Sequence, residues 1–450
     1  MLTTPPRASW SDTLAVYLRR RVLIVLLLGF ASGLPLALSG STLLVWMREA
    51  GVDLGTIGLF ALVGTPYTVK FLWAPVVDAL HVPLLSRLLG RRRGWLVFSQ
   101  LLLFLAIVVL ATRDPASSPW AVAFAALLVA TASATQDIVI DAFRVESLDE
   151  REQAAGMASY VAAYRIGMLV STAGALFLVT GFERTGFDKL AAWQAGYLAM
   201  AVLVAVGVVT TLLATEPDRS AGVASREADG SALVRVARAA AGAFSEFLSR
   251  DLAIAVLVFV VLFKLCDAFA GTMTAPFVID LGFTRDEYAA IVKGVGLAAT
   301  LLGGFAGGFI ARAVPLSAAL WTGALLQMVS NLVFVWLAYA GNSVLALSAA
   351  IIAENFAGAI GTVIFVAYLS VLCVNPLHTA TQYALLTALA AVGRTYLSAG
   401  AGYVAETAGW PLFFAISSLT ALPGLVLLVV LQARGHFAGL GEIERAKARR

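Results

Sequence analysis

The sequence predicts an all-α polytopic membrane protein, and three observations carry that expectation. Apolar residues make up 60% of the 450 and charged residues only 13%, about half the charged share of a soluble domain of this size. The apolar residues come in runs of about 20 to 30, the length needed to cross a hydrocarbon layer of roughly 30 Å at ~1.5 Å per residue. No series of alternating ~10-residue segments is present, which sets a membrane β-barrel aside.

Twelve spans are read in order, at about 22–47, 54–79, 94–112, 119–143, 156–180, 191–214, 251–279, 287–312, 316–340, 343–373, 380–405 and 410–433. Turn and interface residues separate them, among them "REAGVDLG", "LLGRRRGW", "TRDPASSPW", "ERTGFDK", "DLGFTRDE", "YAGNS", "VNPLHT" and "ETAGWP". The first run follows Arg19–Arg21 as a signal peptide does. It outlasts a ~15-residue signal core and further spans follow, so it is expected to remain as a helix.

Orientation follows from Lys and Arg. With the N-terminus inside, cytoplasmic segments hold 21 of the 31, outside loops hold 5 (Arg48, Arg113, Arg184, Lys189, Arg285), and 5 lie within spans. That bias places both termini in the cytoplasm. The net charge of +4 therefore reports topology, and no nucleic-acid partner is expected.

One long polar connection divides the spans six and six. The expected organisation is a cytoplasmic segment (1–21), a six-helix lobe (22–214), a cytoplasmic linker (215–250), a second six-helix lobe (251–433) and a basic tail (434–450). Within the linker Leu233, Val236, Ala240, Phe244 and Phe247 recur at helical steps, as in an amphipathic helix on the membrane surface; an early start to the seventh span is the alternative. Six plus six is the layout of a major facilitator carrier. Weak internal symmetry supports it, since "YRIGMLVSTAG" and "GRTYLSAGAG" each place an Arg (Arg165, Arg394) before Ser and Gly. Gln136 and Asp137 likewise correspond to Glu354 and Asn355. "GFASG" and "GGFAGG" have the small-residue spacing of close helix packing.

Other functional classes lack their chemistry. His81, His378 and His436 are scattered, Cys266 and Cys373 lie in apolar sequence, and no phosphate-binding G-x-x-x-x-G-K-[ST] loop occurs. No metal site, cofactor or enzymatic activity is expected, a membrane-embedded cell-wall enzyme being the remote rival.

The charges inside the spans carry the functional reading. An ionisable group at mid-membrane costs roughly 2.5–3.5 kcal/mol even on the lenient insertion scale, so each needs a partner or a wet cleft. Lys70, Asp137, Arg165, Lys264, Asp267, Lys293, Glu354 and Arg394 are so placed. Five are cationic and three anionic, a bias toward anionic or zwitterionic cargo. Candidate cargo contacts are Gln136, Asp137, Arg165, Lys264, Glu354, Asn355, Arg394 and Lys70; candidate proton carriers are Asp137, Asp267 and Glu354. In "ASATQDIVIDAFRVE" Asp137, Asp141 and Arg144 share one helical stripe, at roughly 100° per residue. Asp78 at the end of the second span, the "LGRRRG" that follows it, and Asp141 and Arg144 at the end of the fourth are expected at a cytoplasmic gate, closed by ion pairs between these helices.

The stretch from "GFASGLPLALSGSTLLVWMREAGVDLGTIGLFALVGTPYTVKFLWAPVVD" through "LGRRRGWLVFSQ", "SATQDIVIDAFRVE" and "AAYRIGMLVS" resembles the first half of the AmpG family of muropeptide permeases. "IVKGVGLAATLLGG", "GTVIFVAYLSVLC" and "TATQYALLTAL" resemble the second. The resemblance implies a major facilitator carrier in the bilayer of a Gram-negative inner membrane, and a monomer is expected. It also implies proton-coupled import of N-acetylglucosaminyl-1,6-anhydro-N-acetylmuramyl peptides, for cell-wall recycling and β-lactamase induction. Some members carry extra C-terminal spans, whereas this sequence is expected to end at twelve. Related carriers take acyl-CoA-like solutes, so another anionic metabolite is the alternative cargo.

Overall fold

The computed structural model describes residues 16–149, 152–217, 245, 247–372, 379–438 and 440. Every regular element among them is helical. Eleven helices among the described residues are long and apolar enough to cross a membrane. Leu316–Ala340 and Trp410–Ala433 coincide with the expected bounds, and the others differ by a few residues. The expected span at 380–405 is occupied by consecutive helical segments, Thr379–Tyr396, Leu397–Gly400 and Ala401–Ala408, but is not among the eleven. Arg394, the threonines and the glycines dilute its apolar character. The expected second span also divides, into Leu54–Leu72 and a short helix Ala74–Ala79 with proline in its first turn, where a missing N–H costs nothing.

Helical regularity is interrupted at specific places. Pro35 lies inside Arg20–Leu38, where its ring removes the donor for the Ala31 carbonyl, and the chain resumes after Ser39–Gly40 as Ser41–Glu49. The seventh span breaks between Ala253–Leu262 and Leu265–Asp280. Val170–Gly174 and Ala289–Val295 are π-helical, whereas Phe60–Gly64, Lys70–Leu72 and Leu397–Gly400 are 3₁₀ turns.

The chain forms two compact units. The first comprises Met1–Thr42, Lys70–Asp114 and Trp120–Ala232; the second comprises Leu43–Val69, Pro115–Pro119 and Leu233–Arg450. This division cuts across the expected 22–214 lobe, because the stretch Leu43–Val69 joins the later helices.

In the first unit, Arg20–Leu38 and Gln153–Leu169 are in backbone contact. A β-carbon on Gly33 would stand 2.1 Å from the Tyr164 carbonyl, and one on Gly167 would stand 2.4 Å from that of Phe30, so only glycine permits the approach. The helix Arg91–Ala111 starts at Gly90, whose φ of 95° is a left-handed value that favours glycine. Its N-terminus is capped by Glu216, which accepts the Arg92 and Arg93 N–H groups at 2.8 and 3.0 Å, a favourable site for a carboxylate. Arg92 is buried and holds Glu146 in two-pronged fashion at 3.0 and 2.5 Å, with Arg91 adding a third contact at 3.4 Å. Arg92→Ala is expected to cost about 3 kcal/mol, because it leaves a largely buried carboxylate short of its partner. The measurement is the thermal unfolding midpoint in detergent, and an equal loss from Arg91→Ala would refute the special weight given to Arg92. Arg19 reaches Glu152 at 3.0 Å. Burial pushes the Glu152 pKa up, but the Arg19 hydrogen bond, a backbone hydrogen bond and the charges of Arg19 and Arg21 together outweigh it and hold the carboxyl below its ordinary value.

The second unit is built on an apolar core that includes Phe259, Phe263, Ile364, Phe365 and Tyr368. Phe247, from the expected surface helix, is buried in this core; Leu233, Val236, Ala240 and Phe244 lie outside the described residues. Beyond the last span His436 meets the Tyr368 hydroxyl at 3.1 Å, and burial pulls its pKa down.

Candidate functional site

Each unit carries its own polar cluster within the apolar spans. In the first, Ser32 donates to Asp137 Oδ1 at 2.5 Å and meets the Tyr160 hydroxyl at 2.9 Å. The Lys70 ammonium, on the 3₁₀ turn of its span, acts electrostatically on the same carboxylate. Asp137 thus has a hydroxyl donor and a nearby cation. Gln136, its neighbour, is fully buried and donates to the Ala31 carbonyl at 3.0 Å. That geometry ties the Gln136 amide to the packing of two helices, away from the polar face on which Asp137 lies.

The pair Asp141 and Arg144 runs along a single helix, at 3.5 Å and a spacing of three. The helical stripe that brings the two residues onto one face also brings them within reach of each other. Arg144 turns further to the next helix through the Met157 sulfur at 3.0 Å and the Tyr160 ring at 5.8 Å. The Asp78 side chain lies outside what the structure describes.

The second unit gathers more. Lys264 occupies the break in the seventh span, and Asp267 follows in the first turn of Leu265–Asp280, where the helix dipole favours a carboxylate. Their charges meet at 2.5 Å. The ammonium also donates to Gln327 Oε1 at 3.0 Å, to Thr362 Oγ1 at 3.1 Å and, at the fringe, to the Gly358 carbonyl at 3.4 Å. Beside this group Asn355 donates to Glu354 Oε2 at 2.6 Å and accepts from Thr300 at 3.1 Å. Asp267, Lys264 and Lys293 are the charges that act on Glu354. Lys293, in the π-helical segment, also lies over the Tyr288 ring at 5.5 Å. Five of the sequence-derived candidates therefore converge here: Lys264, Asp267, Glu354, Asn355 and Lys293.

Arg165 and Arg394 are exposed at matched places, each a few residues before a non-α segment. A guanidinium so placed within a span must meet water or an anionic partner.

At the far end of the second unit two further ion pairs join distant parts of the chain. Arg48 grips Asp280 with two donors, Nη2 reaching Oδ2 at 2.7 Å, and the Trp410 indole N–H adds a bond at 3.1 Å. Arg285 pairs with Glu49 at 2.9 Å, both side chains nearly buried. Leu54–Leu59 lies backbone to backbone on Ala401–Ala408, with Gly58 and Gly402 at the contact. Among the described residues no group of three His, Cys, Asp or Glu side chains could hold a metal ion.

Sequence reasoning passed over Ser32, Tyr160, Gln327, Thr362, Thr300 and Glu146, as well as the pairing of Arg48 and Glu49 with Asp280 and Arg285. The hydroxyls and amides stood within apolar runs, but a search for charge alone does not select them.

Broken apolar helices with ion pairs and hydroxyls at the breaks define a membrane carrier, and residues 25–396 match the model of the Major Facilitator Superfamily. The fold is similar to that of the nucleoside transporter NupG (TM-score 0.66, 15% identity, 92% of this chain and 98% of that one). It is similar as well to a D-xylose–proton symporter (TM-score 0.64, 15% identity, 91% and 97%). In sequence the chain is 40% identical to the anhydromuropeptide permease of Escherichia coli K12, over 93% of this chain and 81% of that protein. It is 34% identical to the putative transporter AmpG 4 of Rickettsia felis, over 92% and 97%. The chain belongs to the AmpG permeases of the Major Facilitator Superfamily, as a multi-pass protein of the bacterial inner membrane.

Proposed function

We propose that this protein imports anhydro-muropeptides, N-acetylglucosaminyl-1,6-anhydro-N-acetylmuramic acid and its peptides, into the cytoplasm by proton-coupled alternating access. Import of this kind serves cell-wall recycling and the induction of β-lactamase. The observation that carries the reading is the 40% identity to the Escherichia coli anhydromuropeptide permease over 93% of the chain. On this reading the protein is a monomer of twelve spans in two six-helix halves, with Thr379–Tyr396 through Ala401–Ala408 as the eleventh span and both termini cytoplasmic.

The polar clusters support an anionic cargo. Lactyl and peptide carboxylates need fixed cations, and Lys70, Arg165, Lys264 and Arg394 supply them, with Asn355 as a neutral partner. Asp137, Asp267 and Glu354 are the proton carriers of the proposal. A carboxylate that trades a cation for cargo loses the interaction that kept it ionised and takes up a proton. Asp78, Asp141 and Arg144 serve the cytoplasmic mouth. The Arg48–Asp280 and Glu49–Arg285 pairs, at the end that charge bias assigns to the outside, act as an outer latch.

Uptake of labelled anhydro-muropeptide into inverted-free membrane vesicles, with and without a protonophore, tests the reading. Accumulation abolished by the protonophore is the expected result. The absence of any cargo-dependent accumulation overturns the cargo assignment, and accumulation indifferent to the protonophore removes the coupling. Arg165→Ala and Arg394→Ala are each expected to lower uptake by more than tenfold, or about 1.4 kcal/mol, with normal insertion. Wild-type uptake by either variant removes that arginine from the pathway.

A further inference from the structure

Three glutamines are buried among the described residues: Gln100, Gln136 and Gln327. Gln100 exchanges hydrogen bonds with Thr211 at 3.1 and 3.2 Å, and Gln136 binds the Ala31 carbonyl. Both serve helix packing. Gln327 alone of the three reaches an ionised side chain, and its amide is orientated by its surroundings. Nε2 donates to the Gly323 carbonyl at 3.0 Å, which accepts only, so Oε1 is left facing the Lys264 ammonium, which donates only. Thr362 is orientated by the same logic, because its hydroxyl proton goes to the Gly358 carbonyl at 2.7 Å and its oxygen is left to accept from Lys264.

The fit around Gln327 is tight. A β-carbon on Gly361 would stand 2.0 Å from Gln327 Nε2, so the amide lies in a notch that only a missing side chain provides. Lys264 is therefore held to neighbouring helices by Gln327 and Thr362, with the Gly358 carbonyl at the fringe, and meets Asp267 on its own broken span. The partners differ in kind. Gln327 and Thr362 are neutral, and the first is locked; Asp267 is an anion with its side chain 23% exposed.

We propose that Gln327 is a positioning residue that pins the Lys264 ammonium to the neighbouring helices, so that an arriving cargo carboxylate displaces Asp267 without unseating the cation. This inference rests on the anionic-cargo reading above and deepens it. Gln327 confers selectivity for carboxylates without touching cargo itself. Losing it frees the ammonium to follow Asp267, and the incoming carboxylate then meets a neutralised pair.

The test compares uptake of anhydro-muropeptide with that of the same cargo amidated at its peptide carboxylates, in vesicles carrying wild type, Gln327→Met or Gly361→Ala. Lys264 acylation by a small amine-reactive reagent is read in parallel by peptide mass spectrometry. In Gln327→Met the KM for the carboxylated cargo is expected to rise about tenfold, with the KM for the amidated cargo and kcat little changed. Lys264 labelling is expected to quicken severalfold, since a hydrogen-bond acceptor that held the ammonium is gone. Gly361→Ala, which evicts the amide without altering Gln327, is expected to reproduce both effects and serves if Gln327→Met does not insert. An unchanged KM ratio with an unchanged labelling rate overturns the proposal. Failure of the wild type to take up either cargo overturns the cargo reading alone, because Lys264 labelling still decides the role of Gln327.

Discussion

Lys264→Met is expected to reduce cargo accumulation at least a hundredfold. The ammonium is the partner of Asp267 at 2.5 Å and of Gln327 and Thr362 at 3.0 and 3.1 Å. Its removal leaves a partly buried carboxylate uncompensated, a change that costs about 3–5 kcal/mol when a buried pair loses one member. Part of that cost falls on folding and part on cargo affinity, and a second variant separates them. Lys264→Met combined with Asp267→Asn removes both charges, so insertion and thermal stability should recover while uptake stays low. Uptake is measured in vesicles and normalised to the amount of inserted protein. Uptake by Lys264→Met within threefold of wild type would falsify the central place given to this cation.

The second large effect concerns the contact of Leu54–Leu59 with Ala401–Ala408. A β-carbon on Gly402 would stand 1.8 Å from the Leu54 carbonyl oxygen, and one on Gly58 would stand 2.7 Å from the Gly402 nitrogen. The obstructing atoms are backbone, so no rotamer change can relieve Gly402→Leu and the two helices must separate. Overpacking of this kind costs typically about 1–3 kcal/mol, at a contact separate from the Arg48–Asp280 and Glu49–Arg285 pairs of the preceding helix. Uptake should fall more than tenfold, and Ala50→Cys should react several times faster with an impermeant maleimide in that background. Unchanged uptake and unchanged labelling together would show that this end need not close.

Much of the fold was legible because a span is a local property. Length and hydropathy suffice for Leu316–Ala340 and Trp410–Ala433, whereas the segment from Thr379 to Ala408, with Arg394 and several glycines, falls short on hydropathy and is helical all the same. Lys264 and Asp267 could be paired from sequence since a spacing of three puts them on one helical face. Asp141 and Arg144 have the same spacing and pair by the same local rule. Pairing across the chain left no local trace. Arg48 and Asp280 are 232 positions apart, and either could have met another partner. Gln327 was hidden for a different reason: an amide in an apolar helix is equally consistent with plain packing, as Gln100 demonstrates. Only the notch at Gly361 and the fixed direction of its hydrogen bonds distinguish it.

The breaks in helical regularity and the positions of the cations coincide. Lys70 is on a 3₁₀ turn, Lys264 at a helix break and Lys293 in a π-helical segment, while Arg165 and Arg394 lie a few residues before non-α segments. At such places the backbone ladder is incomplete, so a helix bends there at lower cost than within a regular turn. Compliance and charge are thus located at the same points along the spans. Neutralising or redirecting one charge changes the force on the joint that bears it, and bending the joint changes where the charge points. The molecule is in this sense an electromechanical one, in which any change of charge at these points acts on the curvature of individual helices.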